Sequence, residues 1–127
     1  MSAWRTTIRC YRSPARNNKI ADWYQGLSAQ EKADADEFLK NMRRAREWRP
    51  PAYLPRLRGG EGIGELRWRS ENKQHRLLGF FMNAIWYAVL GCTHKQQIYD
   101  PTDALATAKK RKREIEQSEV DTVEYNL

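Results

Sequence analysis

The stretch from Arg67 to Tyr99 carries side chains of the kind that handle a phosphate. A guanidinium offers two parallel N–H donors to a phosphate and stays charged, which suits Arg76, Arg67 and Arg69. Arg67 and Arg69 are two apart on one expected strand, so they share a face. Lys73 sits in the turn that follows and extends the cationic set. His94 brings an imidazole, which ordinarily titrates near pH ~6.5 and can give or take a proton without tuning. Lys95 comes next, and Tyr99 is placed to stack on a base or orient a phosphate. Each has a plainer alternative. Arg76 can pair with Glu65 across a sheet, His94 can cap or fill a core, Lys95 can be a solvated charge, and Tyr99 can pack on a helix. His75 neighbours Arg76 but by strand parity points to the opposite face.

The charge of the whole chain agrees with an anionic partner. Among 127 residues, 23 Lys and Arg stand against 16 Asp and Glu, a net charge of +7, with a pI of about 9.6. Such a surplus favours a polyanion through phosphate contacts that release counterions; charge kept for solubility is the alternative. The run Lys109, Lys110, Arg111, Lys112, Arg113 fits an RNA or phosphate contact, above all at its first three residues, although a solvated helix face is the commoner fate of such runs. Trp48, Tyr53, Trp68 and Trp86 could stack on bases, although most of them should be core; of these, Trp68 is the best candidate for exposure. Cys10 and Cys92 lie in apolar stretches with no disulfide framework, which fits a reduced cytoplasm. Together with His75 and His94 they match no zinc spacing, so neither a metal nor a cofactor is expected. The start of the chain lacks the apolar region of a secretory signal. The uncharged run from Leu77 to Cys92 is too short for a membrane helix, which needs ~20 residues.

These side chains need a sheet to hold them. Residues 4–11 alternate, with Trp4, Thr6, Ile8 and Cys10 on one face, as a half-buried strand does. Ile20, Trp23, Tyr24 and Leu27 form one helical stripe. Ser28 and Glu31 make a capping box that opens a second helix to about Glu47, with Ala35, Phe38, Leu39 and Met42 as its core stripe. Residues 48–64 hold three prolines and four glycines and read as a long, irregular, basic loop. Strands follow over 64–69, 76–82 and 85–93, turning at Ser70–Lys73 and at Asn83-Ala84. The last two are apolar on both faces and should lie at the sheet centre. Asp100 as N-cap and Pro101 as first residue open a final helix packed through Leu105, Ala108 and Ile115. The expectation is one α+β domain over 1–118, in the order strand, helix, helix, three strands, helix. Helices lie to one side of a mostly antiparallel sheet, and residues 119–127 form a loosely held acidic tail.

This order and four motifs resemble the RelE/HigB/ParE superfamily of type II toxin–antitoxin toxins, most of all its phage-derived, HigB-like branch. The motifs are Ala21-Asp22-Trp23-Tyr24 with Leu27; Gly64-Glu65-Leu66-Arg67 after a Pro/Gly-rich loop; His75-Arg76-Leu77-Leu78-Gly79-Phe80-Phe81; and the apolar strand running into His94-Lys95-Gln96-Gln97. The resemblance covers roughly residues 4–117 and implies a RelE-like fold. It further implies a metal-independent endoribonuclease that cuts mRNA at the ribosome and is silenced by a cognate antitoxin. The 2′-OH would attack the adjacent phosphate, so the site needs a base, cations at the phosphate and an acid at the leaving oxygen. The resemblance casts Arg76 as the phosphate ligand, with His94, Lys95 and Tyr99 beside it and Arg67 in support. Glu65 stands where the best-known RelE toxins place a lysine. A ParE-like gyrase poison without nuclease chemistry, or a non-catalytic antitoxin-binding module, are the rival functions.

Overall fold

In the computed structural model, residues 4–96 and 98–126 are described. Met1–Ala3, Gln97 at the end of the fourth motif, and Leu127 fall outside them.

Strand β1 (Thr7–Tyr11) leads into α1 (Lys19–Gln25), whose N-cap Asn18 accepts from the backbone N–H of Ile20 and Ala21. Helix α2 (Ala29–Arg44) opens with the expected reciprocal box, Ser28 with Glu31. Next come β2 (Tyr53–Leu54), β3 (Gly64–Ser70), β4 (Lys73–Met82) and β5 (Ile85–Lys95). The chain closes through β6 (Ile98–Asp100), α3 (Ala104–Glu116) and β7 (Thr122–Glu124). The sheet order is β2-β3-β4-β5-β1-β7, with β6 paired to the end of β5. β1 runs parallel to β5; the other pairings are antiparallel.

The expected elements are present, and β4 and β5 are central. Their hairpin turns at Asn83 and Ala84, which both take positive φ, the backbone of a two-residue turn that follows the twist of a hairpin. Four expectations are corrected. Helices cover both faces of the sheet, not one. α1 and α2 pack with Ile8, Cys10, Leu66, Leu77 and Trp86, while α3 packs with Leu78, Phe80, Val89 and Cys92 on the other side. Strands apolar on both faces require cover on both. The acidic tail is not loose, because β7 pairs with β1 and Tyr125 is buried in the core. Asp100 does not cap α3: it belongs to β6, and the helix starts at Ala104 behind Asp103, which makes no side-chain cap bond. Trp68 is not exposed: it stacks on Phe38 and His75 under α2.

Two close approaches fix how the layers meet. A Cβ on Gly91 would lie 2.3–2.5 Å from the Trp23 ring, so α1 sits flat on β5 only because that position has no side chain. A Cβ on Gly79 would lie 2.4 Å from the Tyr87 carbonyl, beside the register shift between Leu78 and Gly79. That shift is a local irregularity in the β4–β5 ladder. Beyond it, the ends of β4 and β5 nearest β6 carry polar residues, on the sheet face that also packs α3 nearer its middle.

Candidate functional site

Ladder register sets the site. Arg69 pairs with Gln74, Gln74 with His94, and His94 with Tyr99, so one row crosses β3, β4, β5 and β6. The neighbouring row holds Arg67, Arg76 and Cys92. Directly paired residues point to the same side, with Cβ atoms about 5 Å apart. The register thus sets Arg67, Arg69, Arg76, His94 and Tyr99 on one side, whereas Lys95, paired with Ile98, takes the opposite parity. His75 faces the other way, as its parity requires, and its ring lies under α2, 3.1 Å from Glu31.

The centre of the arrangement is Glu65, one row deeper on β3 and 1% exposed. One of its oxygens takes the Nε of Arg67 at 2.5 Å and lies 3.3 Å from the Nε of Arg76; the other accepts from the Tyr99 hydroxyl. Arg76 is 7% exposed. Its terminal nitrogens donate to the His75 carbonyl at 2.9 Å and to Gln74 Oε1 at 2.7 Å. The ion pair of Arg76 with Glu65 across the sheet is thus present. Burial lowers the pKa of the Arg76 guanidinium, and Glu65 opposes that shift. Burial and the bond to Glu65 push the Tyr99 hydroxyl well above the ordinary tyrosine range, so this phenol stays protonated and donates into the sheet. Cys92, beneath Arg76, is pushed up to about 12, mainly by burial, which leaves it a neutral thiol.

What faces outward differs from what lies beneath. The Arg67 side chain is 33% exposed, and among the described residues only its Nε has a partner, so both terminal nitrogens remain open. Arg69 and Lys95 are exposed with no ion pair among the described residues. The His94 ring rests against Tyr99, centroids 4.9 Å apart. Two clefts open here. One, of about 440 Å³, is bounded by Pro51, Ala52, Arg67, Trp68, Arg69, Gln74 and Arg76. The second, of about 850 Å³, includes Arg69, Lys73, Gln74, His94, Lys95, Tyr99 and Asp100 in its walls. They share Arg69 and Gln74, so the surface is continuous.

Other expected site residues lie apart. Lys73 is at the rim but leans to the α2 side, 3.5 Å from Glu31. Lys109, Lys110 and Arg111 line neither cleft. Lys109 bonds the Gly59 carbonyl at 3.2 Å, Arg111 bonds the Val89 carbonyl at 2.8 Å over the Tyr11 ring, and Lys110 is exposed. Asp100, read from sequence as a helix cap, lines the second cleft instead, although its pairing with Thr93 gives it the parity opposite to His94. The alternation at Ile98-Tyr99-Asp100 could have signalled the strand; the adjacent proline, read as a helix start, masked it. Among the described residues there is no group of three or more His, Cys, Asp or Glu able to hold a metal.

The fold and this surface define a basic α+β domain in which cations, an imidazole and a carboxylate line two adjoining clefts. A family model described as "Phage derived protein Gp49-like (DUF891)" matches residues 22–113, and the chain belongs to that family. The Gp49-like family is one of toxin–antitoxin toxins within the RelE/HigB-like group, and it implies an antitoxin partner. No curated protein and no solved structure matches the chain.

Proposed function

We propose that this protein is the toxin of a type II toxin–antitoxin pair and a metal-independent endoribonuclease that cuts mRNA on the ribosome. The observation that carries the reading is the pair of adjoining clefts: Arg67, Arg69 and Arg76 line the first, and Arg69, His94, Lys95 and Asp100 line the second, with Arg69 common to both. Chain cleavage without a metal needs such a set. The 2′-oxygen bonds to phosphorus, the bond from phosphorus to the 5′-oxygen breaks, and a 2′,3′-cyclic phosphate and a 5′-hydroxyl result. One group takes the proton of the 2′-OH and another returns one to the departing 5′-oxygen. His94 and Asp100 supply these roles. Arg67 and Arg69 hold the non-bridging oxygens, where charge builds up, and Arg76 adds its field from beneath. Lys95 meets the neighbouring phosphate. Tyr99, whose hydroxyl is committed to Glu65, orients His94 and transfers no proton. Lys110, exposed on a separate part of the surface, meets ribosomal RNA, and a cognate antitoxin covers the clefts.

The test is induced expression in bacteria with primer extension on cellular mRNA. Wild type is expected to stop growth and translation and to leave new 5′-hydroxyl ends within translated messages. Arg69→Ala, Arg76→Ala and His94→Ala should each relieve the arrest. A wild-type chain that leaves growth and mRNA intact ends this reading; arrest with a DNA-damage response and intact mRNA would move the protein to the gyrase-inhibiting class.

A further inference from the structure

Glu65 ties together parts of the site that the chain supplies separately. It sits on β3, and its two oxygens take up three groups from three strands: Arg67 of β3, Arg76 of β4 and Tyr99 of β6. Tyr99 in turn supports the His94 ring on β5. We propose that Glu65 is a positioning residue that sets both the phosphate-facing edge of Arg67 and the placement of His94, so that the cationic wall and the proton-transfer wall are aligned by one buried carboxylate. The proposal rests on the reading of these clefts as the active site.

The geometry argues for alignment over mere neutralisation. A carboxylate present only to offset charge could meet Arg67 at either terminal nitrogen. Here it takes the Nε, which leaves the outer pair of terminal nitrogens toward the cleft as a ready fork for phosphate. Its second oxygen is spent on a neutral hydroxyl, which contributes nothing to charge balance but holds the aromatic ring against the imidazole. With 1% exposure, Glu65 itself does not reach solvent, so it acts through these neighbours.

Simple charge and positioning predict opposite signs. Removing the negative charge beneath a cationic cleft should, by Coulomb's law alone, tighten anion binding. Loss of the anchor should weaken it, because Arg67 would then have to be ordered when the anion binds. The experiment uses the ¹⁵N-labelled full chain, with Glu65→Gln and Tyr99→Phe compared with wild type. It follows the Arg Nε–H and imidazole nitrogen resonances and titrates inorganic phosphate. Glu65→Gln is expected to move the Arg67 Nε–H and His94 signals and to weaken phosphate at least fivefold. Tyr99→Phe should move the His94 signals, leave the Arg67 Nε–H in place and keep phosphate affinity within twofold. Tighter or unchanged phosphate binding in Glu65→Gln overturns the proposal, as do His94 signals that stay put in both variants. Should Glu65→Gln fail to fold, unmoved His94 signals in Tyr99→Phe alone suffice to overturn it. None of these readouts requires RNA cleavage. A chain harmless to cells that shows them would lose the nuclease reading and keep Glu65 as the organiser of an anion site.

Discussion

Two buried carboxylates on opposite faces of one sheet meet cations in different ways. On the α2 side, Glu31 closes the helix cap with Ser28 and lies 3.1 Å from His75 and 3.5 Å from Lys73, and the His75 ring stacks on Trp68, which stacks on Phe38. On the other side, Glu65 holds two arginines and a tyrosine at the base of an open surface. The first cluster ends in packing: His75 has no hydrogen bond at either nitrogen, and its contact with Glu31 lacks hydrogen-bond alignment. The second ends in unsatisfied cationic groups facing water. Adjacent residues of one strand, His75 and Arg76, therefore enter different chemistry only because strand side chains alternate. A buried charge network by itself does not mark a site; what distinguishes Glu65 is that the groups it orders reach the surface.

The sharpest way to break this comparison is to remove each carboxylate. Glu65→Ala strands the buried Arg76 and should cost about 3–5 kcal/mol of unfolding free energy in urea. Glu31→Ala loses a cap but strands no buried arginine, for about 1–2 kcal/mol. Equal costs would mean that the two clusters are alike. Arg69→Ala and Lys95→Ala should leave stability within about 0.5 kcal/mol and yet weaken inorganic phosphate binding and relieve growth arrest.

The pH dependence of stability separates the clusters further. The Ser28 backbone N–H holds Glu31 below the ordinary carboxylate range. Its stabilisation is present above about pH 4.3 and fades as pH falls below that value. Tyr99 is shifted the other way, so its contribution is complete below about pH 10 and fades as pH rises beyond it. Denaturant melts across pH should show Glu31→Gln flattening the acid limb and Tyr99→Phe the alkaline limb. The smallest effect is that of Lys73→Ala, a few tenths of a kcal/mol for a pair whose lysine is largely exposed, with phosphate affinity changed less than in Lys95→Ala.

Much of this was legible in the sequence because it depends on local periodicity. The capping box at Ser28 and Glu31, the alternation of Arg67 and Arg69, and the opposed parity of His75 and Arg76 all follow from spacing alone. What escaped depends on pairing between distant segments. Thr122–Tyr125 looks like an acidic tail until β1 offers it an edge, and Tyr125 then donates its backbone N–H to the Ile8 carbonyl. Trp68 looks free to be exposed until α2 is laid over it. Asp100 looked like a cap because it precedes a proline, and only the return of β6 along β5 sets it in the cleft. Arg76 matched a motif for a phosphate ligand, but that motif does not show that its terminal nitrogens are already spent on Gln74 and His75.

The pairing of β1 bears on synthesis. β1 is translated well before its two neighbours, β5 and β7, which come from residues 85–95 and 122–124. Until the chain has been made through Tyr125, this early strand keeps an unpaired edge, and contacts so distant in sequence form slowly. A nascent chain of this kind acquires its finished sheet only after Thr122–Glu124 have been made. A molecule proposed to cut messages on ribosomes would thus be incomplete until this late strand has left the ribosome that makes it.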